Sequence, residues 1–216
     1  MSSNDLPLLT SAQAKQVDAL VEERFGIPLA WLMEAAGWQV ARHVHGRAVV
    51  VCGSGNNAGD GFATARHLHR WGRLAAVCCI EPTRVRGQAA VELVALRAAG
   101  VEVSSELRFD GGEVIVDAIF GTGLNRVPQG RFAEWIEAIN ASGRRVIAID
   151  VPSGLDAETG VAYSPVVRPD LTIALGLPKP GLRGEVVVVD IGIPIAAYAA
   201  VGIEVNPALF GDRIRL

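Results

Sequence analysis

Residues 48–61 read Ala48-Val49-Val50-Val51-Cys52-Gly53-Ser54-Gly55-Asn56-Asn57-Ala58-Gly59-Asp60-Gly61. An apolar run leads directly into a turn with four glycines in nine residues, and the residues beyond it take up helical spacing. Strand, glycine turn and helix in that order open an α/β unit. Glycines let backbone N–H groups come close to a ligand, and the N-terminus of the following helix favours an anion, typically a phosphate. Asn56, Asn57 and Asp60 add polar chemistry that a bare phosphate cradle does not need.

Working outward from this unit, apolar runs predict strands over 47–52, 74–80, 101–103, 113–120, 145–150, 171–175 and 185–189. Helical spacing predicts helices over 11–24, 28–45, 60–71, 88–99 and 132–141. Thr10 or Ser11 is placed to cap the first helix. Strands that alternate with helices and are apolar on both faces indicate a parallel sheet covered on both sides. The expected architecture is a three-layer α/β/α, Rossmann-like fold. It has a mostly parallel central sheet, two extra N-terminal helices and a single domain over residues 1–216. Ligands of such sheets bind beyond the carboxyl ends of the strands.

Composition narrows the function classes. A chain of 216 residues with 50% hydrophobic and 20% charged residues supports one domain with a sizeable core. A formal net charge of -3 gives no global basic field for nucleic acid. Met1-Ser2-Ser3-Asn4-Asp5 lacks a basic segment followed by an apolar one. No apolar run approaches the roughly 18–20 residues of a membrane span. A soluble cytoplasmic protein is the expectation. Cys52, Cys78 and Cys79 all fall in strand-like runs and read as buried free thiols, which suit a reducing compartment.

Three polar loops follow three predicted strands. The first is residues 53–61. The second is Asp117-Ala118-Ile119-Phe120-Gly121-Thr122-Gly123-Leu124-Asn125, after Val114-Ile115-Val116. The third is Asp150-Val151-Pro152-Ser153-Gly154-Leu155-Asp156, after Val146-Ile147-Ala148-Ile149. In a parallel sheet all three share one edge and deliver Asn, Asp, Ser and Gly to one crevice. Taken singly, each reads as an ordinary turn or a helix start. Asp117 differs, because it sits among apolar residues, where an acid must be paired or must coordinate a cation. The first loop alone also fits a dinucleotide fingerprint, Gly53-x-Gly55-x-x-Ala58, with Glu81 about 20 residues on to grip a ribose. That alternative is an NAD(P)-dependent dehydrogenase. It leaves the second and third loops unexplained.

Together the three loops resemble the NAD(P)H-hydrate epimerase family, which interconverts the R and S epimers at C6 of hydrated NADH or NADPH, a damaged form of the cofactor. That family carries, in order, Asn-Asn-Gly-Gly-Asp-Gly, Asp-x-x-x-Gly-Thr-Gly and Asp-x-Pro-Ser-Gly. Leu32-Met33-Glu34-Ala35-Ala36-Gly37 resembles its N-terminal helix motif. Leu171-Thr172-Ile173-Ala174-Leu175-Gly176 with Lys179, and Asp190-Ile191-Gly192-Ile193-Pro194, resemble its later segments. The resemblance covers about residues 11–194.

By motif, the resemblance implies that the nucleotide is held by Asn56, Asn57, Ala58, Gly59 and Asp60, by Gly121, Thr122, Gly123, Leu124, Asn125, Arg126 and Val127, and by Asp150. It implies one potassium ion per subunit on Asn57, Asp117 and Ser153, with backbone carbonyls completing the shell. Amide, carboxylate and hydroxyl oxygens are hard ligands, and a single charge among them suits a monovalent cation. Ala58 replaces the usual glycine, which would strain the loop if the position needs positive φ. Ala35 replaces the usual asparagine of the N-terminal helix.

The expected catalytic residue is Asp150, acting as acid and base at a carbinolamine carbon. Loss of hydroxide to an iminium and ring opening with reclosure are both open routes. The four histidines lie outside the three loops and read as helix-surface residues. The implied partners are the hydrated nucleotide and, functionally, an NAD(P)H-hydrate dehydratase, to which such domains are often fused; a free-standing enzyme and a piece of a fused one are equally compatible with a chain stopping at Leu216. A homo-oligomer is expected, with no nucleic acid and no membrane. Related domains also serve as scaffolds in RNA-decapping assemblies, but intact Asp117, Asp150 and Ser153 favour an enzyme.

Overall fold

The computed structural model describes residues 6–210 and the pair 214–215. The N-terminal residues 1–5, on which the reading of a missing leader rests, lie outside the described residues. Two helices come first, α1 (Ser11–Glu23) and α2 (Leu29–His43). Thr10 closes a capping box with Gln13 at the start of α1. Then follow β1 (Ala48–Cys52), α3 (Asn56–Arg70), β2 (Leu74–Cys79), α4 (Gly87–Ala98), β3 (Val103–Ser104), β4 (Val114–Ala118), α5 (Arg131–Ala141), β5 (Arg145–Ile149), β6 (Leu171–Leu175), β7 (Val186–Val189), α6 (Ile195–Ala200) and β8 (Ile214–Arg215).

The sheet runs in the order β3-β2-β1-β4-β5-β6-β7-β8. Strands β1 to β7 pair in parallel. Strand β8 adds antiparallel to β7. The chain therefore enters at β1, winds outward to β3, then returns to β4 and winds the other way. The order reverses between β1 and β4, which is where a doubly wound sheet opens a ligand crevice at its carboxyl edge.

The mostly parallel three-layer sheet matches the reading of the sequence, but its layers are unequal. One core cluster joins the sheet to residues of α1, α2, α3, α4 and α6, including Val17, Leu32, Phe62, Leu93 and Tyr198. The opposite cluster joins it to α5 through Trp135, Ile136 and Ile139. Cys78 faces the second cluster and Cys79 the first, and all three cysteines are free and buried. Two close approaches set the helical layer. A Cβ on Gly37 would fall 2.4 Å from the Ala63 Cβ, so glycine lets α2 cross α3 closely. A Cβ on Gly61 would fall 2.6 Å from the Ala118 Cβ, so α3 lies directly on the sheet.

Several boundaries differ from the sequence reading. Helix α3 starts at Asn56, four residues before the expected start at residue 60, with Gly55 as its N-cap. The polar stretch from Asn56 to Asp60 is thus the opening of a helix rather than a free loop. Strand β3 is Val103–Ser104 instead of 101–103. Helix α6 was not anticipated, although Pro194 followed by an alanine-rich run is an ordinary helix start. His67 is not a surface residue: it is 6% exposed, lies 3.0 Å from Glu34 Oε1 and packs edge-on against Trp38. Among the described residues no helix is long and apolar enough to cross a membrane.

Candidate active site

Three strand ends converge on one point. Asp117 lies in β4 and is 0% exposed. Its Oδ2 accepts from the Ser153 backbone N–H at 2.8 Å and its Oδ1 from the Ser153 hydroxyl at 2.6 Å. The Ile119 N–H adds a bond at 3.2 Å to Oδ1. The Ser153 hydroxyl in turn accepts from the Phe120 N–H at 2.8 Å. From the start of α3, Asn57 Nδ2 donates to the Phe120 carbonyl at 2.8 Å. That bond fixes the amide orientation and leaves Asn57 Oδ1 buried with no hydrogen-bond partner. Gly121 stands against the same amide: a Cβ there would meet Asn57 Cβ at 3.3 Å and Oδ1 at 3.7 Å.

Asp117 is an acid buried without an ion-pair partner among the described residues. Burial pushes its carboxyl up to about 6, opposed by the hydrogen bonds from Ser153 and Ile119. The carboxylate, the orphaned amide oxygen, the serine hydroxyl and the Phe120 carbonyl make a compact set of hard oxygen donors with one negative charge. Such a set fits a monovalent cation such as potassium. Among the described residues no group of three or more His, Cys, Asp or Glu could hold a metal ion.

Beside this cluster opens a cavity of about 760 Å³. The N-terminus of α3 reaches it through Gly55, Asn56, Asn57 and Asp60. Gly121, Thr122, Gly123, Leu124, Asn125 and Arg126 line it from the segment after β4. Leu9, Val17, Leu29, Leu32 and Met33 supply an apolar wall from the N-terminal region. Three of the expected nucleotide contacts do not line it. Ala58 is 0% exposed inside the core. Gly59 faces Met33 and Ala89. Val127 is 45% exposed beyond the cavity wall. The alanine at 58 carries no strain, since Asp150 is the only non-glycine residue with positive φ among the described residues. Ala35 lies against Trp31, Glu34, Trp38 and His67, away from the cavity.

Asp150 follows β5 with φ 63° and lines the cavity. A left-handed backbone costs about 1 kcal/mol or more outside glycine, and such residues concentrate at functional sites. The conformation is held by three contacts. The Asp150 N–H donates to the Ile173 carbonyl at 2.8 Å. Its carboxylate accepts from the Leu175 N–H at 3.1 Å, and it forms an ion pair with Lys179 Nζ. Lys179 is 4% exposed and also donates to the Leu175 carbonyl at 3.2 Å.

Sequence reasoning named Lys179 only as part of a later segment, and it missed Asp18. Both left signals. Lys179 is a lone charge in Leu177-Pro178-Lys179-Pro180, just past the carboxyl end of a strand. Asp18 falls on the apolar stripe of α1, in register with Ala14, Val17 and Val21. It also lines the cavity. Glu81, the ribose acid of the dehydrogenase alternative, is not part of the cavity wall and bonds to Arg84 at 3.0 Å.

Residues 29–181 match the family described as YjeF-related protein N-terminus. An NAD(P)H-hydrate epimerase of Rhodopirellula baltica is 34% identical over 210 residues, covering 88% of this chain and 86% of that protein. The chain belongs to the NAD(P)H-hydrate epimerase family. A bifunctional NAD(P)H-hydrate repair enzyme of Pyrobaculum aerophilum is 40% identical over 204 residues, which span 83% of this chain and 41% of that longer protein. The crystal structure of yeast ynu0, YNL200c, superposes with a TM-score of 0.82 at 26% identity, covering 98% of this chain and 100% of that one. The family's three motifs map onto the ends of β1, β4 and β5, where the oxygen cluster and the cavity meet.

Proposed function

We propose that this chain interconverts the C6 epimers of hydrated NADH and NADPH as a step in cofactor repair. The observation that carries the reading is Asp150, a left-handed, lysine-paired carboxylate lining a cavity of nucleotide size at the switch-point edge of the sheet. Family membership supports it. The hydrated carbon of the substrate bears a hydroxyl beside the ring nitrogen, so the nitrogen lone pair assists departure of that hydroxyl. Asp150 is the carboxylate placed to exchange a proton with the oxygen that leaves or joins C6. Its negative charge, with that of the wider site, stabilises the cationic iminium between the two steps. The free N–H groups at the start of α3 suit the pyrophosphate, and the N-terminal apolar wall suits the bases.

In the same reading a potassium ion is held by Asn57, Asp117 and Ser153. It would supply the fixed positive charge that the buried Asp117 carboxylate lacks. The orphaned Asn57 oxygen and the unneutralised Asp117 are the observations that support it. The functional partner is an NAD(P)H-hydrate dehydratase specific for one epimer. Three free buried thiols suit a reducing cytoplasm. Homo-oligomerisation is supported by Trp31 and Trp38 of α2, which are 65% and 38% exposed, and sedimentation velocity checks it.

The test uses a mixture of hydrated NADH epimers and a stereospecific dehydratase. The dehydratase alone consumes one epimer. Adding this protein should render the other consumable, and persistence of the inert epimer at high protein concentration would refute the activity.

A further inference from the structure

Epimerisation by loss and return of water poses a problem of sides. The hydroxyl leaves from one face of the ring and water must add from the other. One face needs a proton donor while the opposite face needs a proton acceptor. Asp150 is one carboxyl. The cavity holds two more, Asp18 from α1 and Asp60 from α3. The three are electrostatically unlike. Lys179, the buried cation of the group, bonds to Asp150. Asp60 makes no ion pair or side-chain hydrogen bond among the described residues, although Thr64 Oγ1 bonds its backbone carbonyl. Asp150 follows β5 at the sheet edge and Asp60 lies in α3 of the helical layer, and both line the one cavity.

We propose, building on the epimerase reading, that Asp60 is the second catalytic carboxyl, working on the ring face opposite Asp150. In one direction Asp60 gives its proton to the departing hydroxyl as the C6–O bond breaks, and the oxygen leaves as water. The nitrogen lone pair becomes the C=N π bond of the iminium. A water oxygen then bonds to C6 from the other face, its proton passes to Asp150, and the π pair returns to nitrogen. The reverse epimer uses the same two groups with exchanged roles, and exchange with solvent resets their protons. No oxidant or reductant is needed. Burial keeps Asp60 well above the usual carboxylate range, reinforced by Asp150, Asp18 and Glu92 and opposed by Lys179. That environment favours the protonated, donating form of Asp60.

The experiment compares wild type, Asp60→Asn, Asp60→Glu and Asp18→Asn with each purified epimer of hydrated NADH, following interconversion by chromatography across pH. Asp60→Asn should lower kcat by about 10²–10⁴-fold and abolish the alkaline decline of the wild-type profile, with the dissociation constant for unmodified NADH within about tenfold. Asp60→Glu should keep a shifted alkaline decline, a readout that stands even where the amide variant fails to fold. Asp18→Asn should lower kcat less than Asp60→Asn does and should leave the alkaline decline in place. An active wild type with an indifferent Asp60→Asn, a defect confined to KM, an Asp60→Glu without any alkaline decline, or the large loss appearing in Asp18→Asn would each overturn the assignment to Asp60. A wild type inert on both epimers would instead bring down the epimerase reading itself.

Discussion

Asp117 and Asp150 sit at the carboxyl ends of neighbouring strands, β4 and β5, yet they occupy opposite physical situations. Asp117 is part of its strand, fully buried and held by neutral donors from Ser153 and Ile119. Asp150 has left its strand in a left-handed turn, lines the cavity and is paired with Lys179. One acid lacks a positive partner among the described residues, as the proposed ion site requires. The other has its partner and sits where a substrate would meet it. Residue type alone does not assign a role; the backbone conformation and the nearest charge do.

The comparison breaks most visibly by neutralising each acid. Asp150→Asn should lower kcat by about 10²–10⁴-fold, because the amide keeps the shape but takes up no proton. Calorimetry should find nucleotide affinity within about tenfold, and full turnover in this variant would remove Asp150 from the chemistry. Lys179→Met strands Asp150 instead. Breaking a fully buried ion pair costs about 3–5 kcal/mol. Since the Asp150 side chain is 13% exposed at the cavity, roughly 2–4 kcal/mol is expected here, read from denaturant midpoints.

Asp117 predicts a dependence on pH and on cation together. Its carboxyl is raised from 3.8 to about 6 in the folded protein, so between those values the native state binds more protons than the unfolded one. Its contribution to stability is therefore complete below about pH 4 and is lost as pH rises through about 6. In choline buffers the unfolding midpoint should fall over that window. Potassium should reverse the fall above pH 6, by about 2.7 kcal/mol at a concentration 100-fold above its dissociation constant. Asp117→Asn should flatten both dependences. Equal stability in choline and potassium at pH 7.5 would count against the ion.

How much of this was legible beforehand follows from the physics of each part. The strands β1, β4 and β5 were plain because a doubly covered parallel strand needs an unbroken apolar run, and Val49 to Cys52 or Val146 to Ile149 can be little else. The meeting of three loops at one edge then follows from parallel pairing. The start of α3 was misplaced because Asn56 and Asn57 are poor interior helix formers and look like loop residues. Here the Asn57 Nδ2 group is satisfied by the Phe120 carbonyl, a contact 63 residues away in sequence, while its Oδ1 stays unpaired. Lys179 was hard to weigh for the same reason: its significance is the distant Asp150 carboxylate, and no local pattern encodes that. The single-sided burial of α5 against the five helices opposite also depends on topology rather than periodicity.

The smallest expected effect carries the sharpest choice between nucleotide-binding modes. In a dinucleotide-binding dehydrogenase the acid at Glu81 would grip the adenosine ribose, and truncating it should cost about 1.5–3 kcal/mol of binding. Here Glu81 stands outside the cavity wall, bonded to Arg84 at the start of a short 3₁₀ turn. Glu81→Ala should therefore shift nucleotide affinity by less than about 0.5 kcal/mol, the range of an ordinary surface substitution. Asn56→Ala is the matched change on the cavity side. It removes a polar side chain at the N-terminus of α3, where the nucleotide phosphates are expected, and should cost about 0.5–1.5 kcal/mol, the net value of one hydrogen bond. Dissociation constants for both variants, measured by calorimetry at fixed potassium, decide the matter. Strong loss at Glu81 with indifference at Asn56 would place the adenosine ribose at the end of β2 and restore the dehydrogenase geometry.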